Sequence, residues 1–183
     1  LKNAWGIPEL RKKILFTLMI LMLFRIGNVI PVPYIDVKML GDYFDSTLSN
    51  TILGLYNAMS GSAFSQATVF ALGIQPYINS SIIIQLLCVA IPALERLSKD
   101  GGEEGKKKIQ LITRYVTIGL AALQAIGIIG GLNQSGNVLQ AEYANFFGYV
   151  TIGIIMAGGT ALAMWIGERI TKNGIGNGIS LLI

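Results

Sequence analysis

The sequence contains no histidine, and its single cysteine, Cys88, lies within an apolar run. One cysteine cannot form a disulfide within the chain, and a Cys/His metal site needs residues that the sequence does not supply. A free cysteine usually behaves as a small buried hydrophobic residue, which is how we interpret Cys88. The sequence also offers no nucleophile–base pair. We therefore predict no catalytic residue, no metal site and no cofactor.

Charged residues are scarce as well: they make up 13% of the chain, whereas soluble domains carry about 25%. Three long stretches, 46–94, 115–141 and 143–167, contain no charged residue at all. Because a helix needs roughly 20 mostly apolar residues to cross a bilayer, each stretch holds at least one span. The sequence therefore predicts an all-α membrane protein built as a multi-span helical bundle.

Hydrophobic segments alternate with polar connections along the chain. The predicted spans cover 13–30, 72–93, 109–132 and 146–167, with the start of a fifth at 179–183. Two prolines in "IPVPYID" end the first span, because proline cannot continue a helix. We predict cytoplasmic connections at 94–108 and 168–178, both of them basic. Since a single helical turn cannot cross a membrane, we expect the protein to continue beyond Ile183.

The segment 51–66, "TILGLYNAMSGSAFSQ", is uncharged but contains too much glycine and serine for a span. A short re-entrant or pore-lining helix fits it better. Irregular backbone at membrane depth is stable only inside protein or beside a water-filled cavity. The segment is therefore predicted to lie in one of these two settings.

The predicted second span begins with "ALGIQPYINSS", which places polar residues among aliphatic ones. Pro76 removes an amide donor and clashes with the preceding turn, so the helix must bend or begin there. Ile74 and Ile78 share one helix face, and Asn79 lies near the break. Two interpretations stay open: a kinked span whose amides bond neighbouring helices, or a half-helix beside an aqueous path.

Lysine and arginine are distributed unevenly. The N-terminal segment, residues 95–114 and residues 168–173 hold four, six and two of the fourteen. Positively charged residues stay on the cytoplasmic side, so we predict a cytoplasmic N-terminus. Arg25 is an exception because it falls within the first predicted span. It is predicted to snorkel outward, to pair with a carboxylate or to line a path.

Small residues recur at four-residue spacing in two predicted spans: Gly127 and Gly131, and Gly159, Ala163 and Gly167. Such spacing is typical of close helix packing. The "GIGNG" stretch at 174–178 resembles a phosphate-binding loop only superficially, because no strand precedes it and no Lys-Ser/Thr follows. A sharp cytoplasmic turn is the better interpretation.

Four stretches carry a more specific signal: "FRIGNVIPVP", "FALGIQPYINSSIIIQLL", "GEEGKKKIQLITRY" and "MWIGERITKNGIGNGISLLI". In order and spacing they resemble the SecY family, the channel subunit of the bacterial Sec protein translocon. The resemblance covers nearly the whole chain and implies the N-terminal half of a ten-span, pseudo-symmetric channel. The implied function is to pass unfolded secretory polypeptides across the bacterial cytoplasmic membrane and to release membrane-protein helices into it.

The resemblance also implies roles for individual residues. Segment 51–66 would be the plug, a short helix that closes the outer funnel at rest, and Gly73 and Pro76 would form a hinge. The plug residues are Thr51, Ile52, Leu53, Leu55, Asn57, Met59, Ser60 and Gly61. The aliphatic pore ring, which fits around a passing chain, would include Ile74, Ile78, Ile179 and Ile183. The lateral gate towards lipid would include Asn79, Ile82, Ile83 and Gln124.

The partners implied by the family are SecE, SecG, the SecA ATPase, the ribosome, signal sequences and the translocating polypeptide, with no small-molecule substrate. The basic connection is also suited to contact anionic lipid. An alternative of a different class is half of a secondary transporter with a broken-helix substrate site. It is disfavoured because the sequence places no Asp or Glu within a predicted span.

Overall fold

The protein is a bundle of helices in a computed structural model, which describes residues 2–183. The α-helices are Lys2–Trp5 (α1), Pro8–Gly27 (α2), Val37–Tyr43 (α3), Ile52–Met59 (α4), Gln75–Ala90 (α5), Pro92–Lys99 (α6), Gly102–Gly136 (α7), Phe146–Asn173 (α8) and Gly178–Leu182 (α9). A π-helical turn covers Phe44–Leu48 and a 3-10 turn covers Ala141–Tyr143. No β-strand occurs within residues 2–183, which confirms the predicted all-α class.

Helices α7 and α8 are each long and apolar enough to cross a membrane. Helices α5 and α6 meet the same criterion only as a pair, and a bend of 104° separates them. The bend falls at Ile91, whose backbone is extended, directly before Pro92. A residue that precedes proline is disfavoured in helical conformation, which explains the break. The chain is a multi-pass membrane protein with two such spans, or three if the bent pair is one.

Helix α2 corresponds to the predicted first span but ends at Gly27, three residues before the predicted boundary. The next residue, Asn28, donates its backbone N–H to the last turn of α2. The helix carries five charged residues: Glu9, Arg11, Lys12, Lys13 and Arg25. Because α2 has only 20 residues, these charges leave it no uncharged stretch of spanning length, whereas α7 and α8 each contain one; its role as a span stays a prediction.

The predicted cytoplasmic connections are more helical than expected. Residues 94–99 belong to α6, residues 102–108 open α7, and residues 168–173 complete α8. Lysine, arginine and glutamate are good helix formers, so these runs of charge do not end the helices. The second predicted span, 72–93, starts at Gln75 because Pro76 favours the first turn of a helix.

Short extended segments tie the helix ends together. The Val32 N–H donates to the Ala67 carbonyl at 2.8 Å, and the Val69 N–H donates to the Ile30 carbonyl at 3.0 Å. Further along, the Asp36 N–H donates to the Val138 carbonyl at 2.9 Å. These hydrogen bonds hold the chain after α2 against both the segment before α5 and the end of α7.

The small residues at four-residue spacing pack closely in α8 but not in α7. In α8, a Cβ atom on Gly159 would overlap the Val69 carbonyl, and one on Gly167 would lie 3.2 Å from Cγ1 of Ile179. The predicted close packing is therefore present there. In α7, a Cβ atom on Gly127 or Gly131 would meet no described atom within 4 Å. The prediction was wrong for this pair, because that face of α7 is turned away from the bundle.

Candidate functional site

One cavity brings together four segments that are distant in sequence. Its lining consists of Phe24 of α2, Tyr56, Met59 and Ser60 around the end of α4, Gly73, Ile74 and Gln75 at the start of α5, and Leu182 and Ile183. An adjoining cleft of about 300 Å³ shares several of these residues and adds Arg25, Asn28 and Gly61. The end of α4 therefore faces both α2 and the last residues of the chain.

The cavity contains two of the four residues expected in the aliphatic ring. Ile74 is buried at the N-cap of α5, and Ile183 is half exposed. Ile78 lies one turn further along α5, and Ile179 packs beside Gly167 of α8. The structure thus brings Ile74 and Ile183 into one lining, whereas Ile78 and Ile179 lie outside it.

The backbone changes direction at the residues expected to form a hinge. Gly73 has a φ of +55°, in the left-handed region that glycine adopts without a Cβ penalty. Pro76 occupies the first turn of α5, where its missing N–H costs nothing. Of the two possibilities raised by the sequence, the helix begins at this point and does not bend through it. Movement about this point stays a prediction.

The segment expected to be the plug consists of helix α4 followed by a compact turn. Thr51 precedes the helix, and Asn57 stabilises the turn because its side-chain oxygen accepts from the Ser65 N–H at 2.9 Å. The hydroxyl of Ser60 donates to the Asn57 carbonyl at 3.0 Å. Gly61 and Ser62 both have left-handed φ values, +65° and +66°. The chain therefore reverses sharply as it leaves α4.

Helix α4 packs on one side only. Leu53 and Tyr56 contact the main hydrophobic cluster, and the Tyr56 ring packs edge-on against Phe64 with the centroids 5.9 Å apart. Burial raises the pKa of Tyr56 to about 12. The opposite side is exposed: 81% of the Ile52 side chain and 70% of Leu55 are accessible.

The residues expected at the lateral gate lie along α5 and α7. Ile82 and Ile83 are exposed, whereas Asn79 and Gln124 are partly buried. The side-chain oxygen of Gln124 is buried and accepts no hydrogen bond within residues 2–183. Ser80, by contrast, donates to the Pro76 carbonyl at 2.7 Å. The polar stripe of α5 is therefore partly satisfied within its own helix.

The sequence reasoning missed an ion pair between α7 and α8. Nε of Arg114 lies 3.0 Å from one carboxylate oxygen of Glu168, and its Nη2 lies 2.6 Å from the other. Glu168 lies inside α8, although the sequence placed it in a connection. A signal was present: each residue borders a long uncharged stretch, so the two charges occupy the same end of adjacent antiparallel helices.

Comparison with known proteins agrees with this architecture. Residues 68–183 match the SecY family model. A protein translocase subunit SecY from Streptomyces scabiei is 46% identical over 189 aligned residues, which cover 99% of this chain and 43% of that protein. The Escherichia coli K12 protein of the same name is 44% identical, with 97% of this chain and 40% of that protein covered.

The chain belongs to the SecY family. It spans less than half the length of these two relatives. Two solved structures share the fold with a TM-score of 0.65 at 21% identity, covering 94% of this chain and 35% of theirs: Sec61 in the canine ribosome–channel complex from the endoplasmic reticulum, and a structure described as a protein conducting channel. Membership of this family argues against the transporter alternative.

Proposed function

We propose that this chain is part of a protein-conducting channel that passes unfolded secretory polypeptides and releases membrane-protein helices into the lipid. The observation that carries the proposal is the cavity shared by α2, α4, the start of α5 and the end of α9. Its lining combines aliphatic side chains with the end of a short helix that is exposed on one side. Together with membership of the SecY family, this arrangement supports a closable path for a chain.

In this proposal, α4 with its flanking residues 51–66 is the plug, and Gly73 and Pro76 form the hinge that separates it from α5. Ile74, Ile78, Ile179 and Ile183 form part of a ring that tightens around the polypeptide. An aliphatic ring excludes water when it is empty and adapts to varied side chains when it is filled. Ile78 and Ile179 would then turn towards the path when the channel opens, since they lie outside the cavity now.

The exit towards lipid is assigned to α5 and α7, with Asn79, Ile82, Ile83 and Gln124 along it. The unpartnered oxygen of Gln124 supports this assignment, because a seam that opens can leave a polar group without a fixed partner. The proposed location is the bacterial cytoplasmic membrane, with the N-terminus inside. The proposed partners are SecE, SecG, the SecA ATPase, the ribosome, signal sequences and anionic lipid.

The test is disulfide cross-linking in the full-length protein with Cys88→Ser as background. A secretory precursor that carries cysteines along its mature region is stalled in transit. Single cysteines are placed at Ile183, which lines the cavity, and at Ile154, whose side chain is 64% exposed on α8 outside it. We expect a disulfide to Ile183→Cys only during transit and none to Ile154→Cys.

A third variant, Ile78→Cys, decides how far the path extends along α5. Cross-linking at this position would show that Ile78 turns into the path. Cross-linking at Ile183→Cys but not at Ile78→Cys would show that the ring includes only residues that line the cavity. Equal cross-linking at Ile183 and Ile154, or none at Ile183 in an active channel, would contradict the proposed conduit.

A further inference from the structure

Arg25 lies in the last turn of α2, beside the end of α4. One terminal guanidinium nitrogen, Nη1, lies 3.0 Å from the position that a Cβ atom on Gly61 would occupy. Arg25 and Gly61 also line the same cleft. The Arg25 side chain is exposed and forms no hydrogen bond or salt bridge within residues 2–183. Its charge is therefore not used by an ion pair in the part of the chain that the structure describes.

The negative ends of two helices meet at this guanidinium. Arg25 occupies the last turn of α2, and Gly61 directly follows Ser60, the C-cap of α4. A helix C-terminus carries a partial negative charge, and a cation near it is stabilising. The cleft lining contains no Asp or Glu, so no side-chain carboxylate along it competes with these helix ends for the Arg25 charge.

The C-terminal end of α4 is otherwise held by the turn that follows it, through the hydrogen bond from the Ser65 N–H to Asn57 and the contact between Tyr56 and Phe64. None of its eight residues is buried, and an isolated helix of this length is marginal in water. The left-handed turn at Gly61 brings the backbone close to the guanidinium, so that a Cβ atom at this position would be in tight contact with Nη1 unless the arginine shifted. Segments with few buried contacts open locally at low free energy, so a single additional contact changes their population measurably.

We propose that Arg25 is a positioning residue that holds the C-terminal end of α4 against α2 in the closed channel. Its guanidinium neutralises the helix end, and its side chain covers the bare surface of Gly61. Displacement of α4 therefore requires this contact to break. The inference rests on the proposed role of α4 as the plug, and it adds the residue that sets how readily the plug leaves.

The test is hydrogen–deuterium exchange of the 52–62 peptide in the full-length protein in lipid nanodiscs, with an α8 peptide as internal reference. Arg25→Ala is expected to speed exchange in 52–62 about two- to fivefold, the factors that correspond to about 0.3–1 kcal/mol for an exposed cation at a helix end. Arg25→Lys keeps the charge without the planar group and should have an intermediate effect. Lys38→Ala removes an exposed cation from α3 and should leave exchange in 52–62 unchanged.

A double-mutant cycle checks that the contact itself is responsible. Gly61→Ala adds a methyl group 3.0 Å from Nη1 and strains a left-handed residue, so it should speed exchange. In the Arg25→Ala background the collision is gone, so the added effect should be smaller. Strictly additive effects, or unchanged exchange in Arg25→Ala, would overturn the proposal. If Arg25→Ala does not assemble, the exchange rates of the 52–62 peptide in Arg25→Lys and Gly61→Ala test the proposal instead.

Resting ion conductance of the full-length channel in planar bilayers separates this inference from the plug role. A variant lacking 52–59 should conduct at rest if α4 is the plug, and Arg25→Ala should raise resting conductance to a lesser extent. A closed channel in the deletion variant would refute the plug role but would leave the exchange result to decide whether Arg25 holds α4. Raised conductance in the deletion variant, with unchanged exchange in Arg25→Ala, would refute only the role of Arg25.

Discussion

Helices α8 and α4 are held in place in opposite ways. Twelve residues of α8 are buried, and its small residues let the backbone of other segments come into contact. Helix α4 has no buried residue, and it contacts the main hydrophobic cluster through Leu53 and Tyr56. The difference is consistent with the proposal that α4 leaves its position while α8 stays in place, since stability within one protein follows the local density of buried contacts.

The largest expected effect of a single substitution concerns Gly159 of α8. A Cβ atom there would overlap the Val69 carbonyl, so we expect Gly159→Ala to lower the free energy of unfolding of the full-length protein by about 2–3 kcal/mol. Gly158→Ala is the matched control, since a Cβ atom there meets no described atom within 4 Å. It should be neutral or stabilising by about 0.5–1 kcal/mol, because alanine is the better helix former. Thermal unfolding in detergent measures both, and equal effects would show that α8 is not closely packed at Gly159.

A smaller change in the free energy of unfolding is expected for substitutions at two isoleucines, one buried and one exposed. Ile152 of α8 is completely buried, whereas 81% of Ile52 of α4 is exposed. We expect Ile152→Val to lower the free energy of unfolding by about 1 kcal/mol, because it removes one packed methylene group. Ile52→Val should change it by less than about 0.5 kcal/mol. Denaturant titration of both variants checks this, and a comparable loss for Ile52→Val would mean that α4 is buried in the assembled protein.

The smallest expected effect concerns the ion pair that joins α7 to α8. A double-mutant cycle with Arg114→Met and Glu168→Gln should give a coupling energy of about 0.5–1 kcal/mol, because the pair is bidentate but partly exposed. The exposed Glu95–Lys99 pair of α6 is the control and should show weaker coupling. The free energies of unfolding of the parent, the single variants and the double variant give the coupling energy of each pair. Repeating them at a second salt concentration shows how far each pair is screened. A coupling for Arg114 and Glu168 no larger than the control would mean that apolar packing alone joins α7 and α8.

Much of the fold could be predicted because the signals are local. Uncharged stretches predicted the apolar helices α7 and α8, and Pro76 predicted the break before α5. The boundaries were less accurate where charge was taken as a helix end, as at 94–108 and 168–173. The helix continues through the charged residues there, because side-chain charge does not interrupt backbone hydrogen bonding.

The candidate site was predictable only in part. The resemblance identified Ile74 and Ile183, which the structure places in one cavity lining, together with Ile78 and Ile179, which lie outside it. Arg25 was recognised as unusual, but its neighbour Gly61 could not be inferred. The two residues are far apart in sequence, and no pattern in either segment specifies which faces of α2 and α4 meet.

By itself, the sequence determined the helical class, the two long apolar helices α7 and α8 and the helix start at Pro76, since these depend on composition and on backbone chemistry within a few residues. The tertiary structure alone decided that Gly159 and not Gly127 packs closely, that Arg114 pairs with Glu168, and that Arg25 lies over Gly61. Each of these contacts depends on how a helix is rotated about its axis and on which segment lies beside it. That rotation is set by the packing of all helices together, and no single segment encodes it.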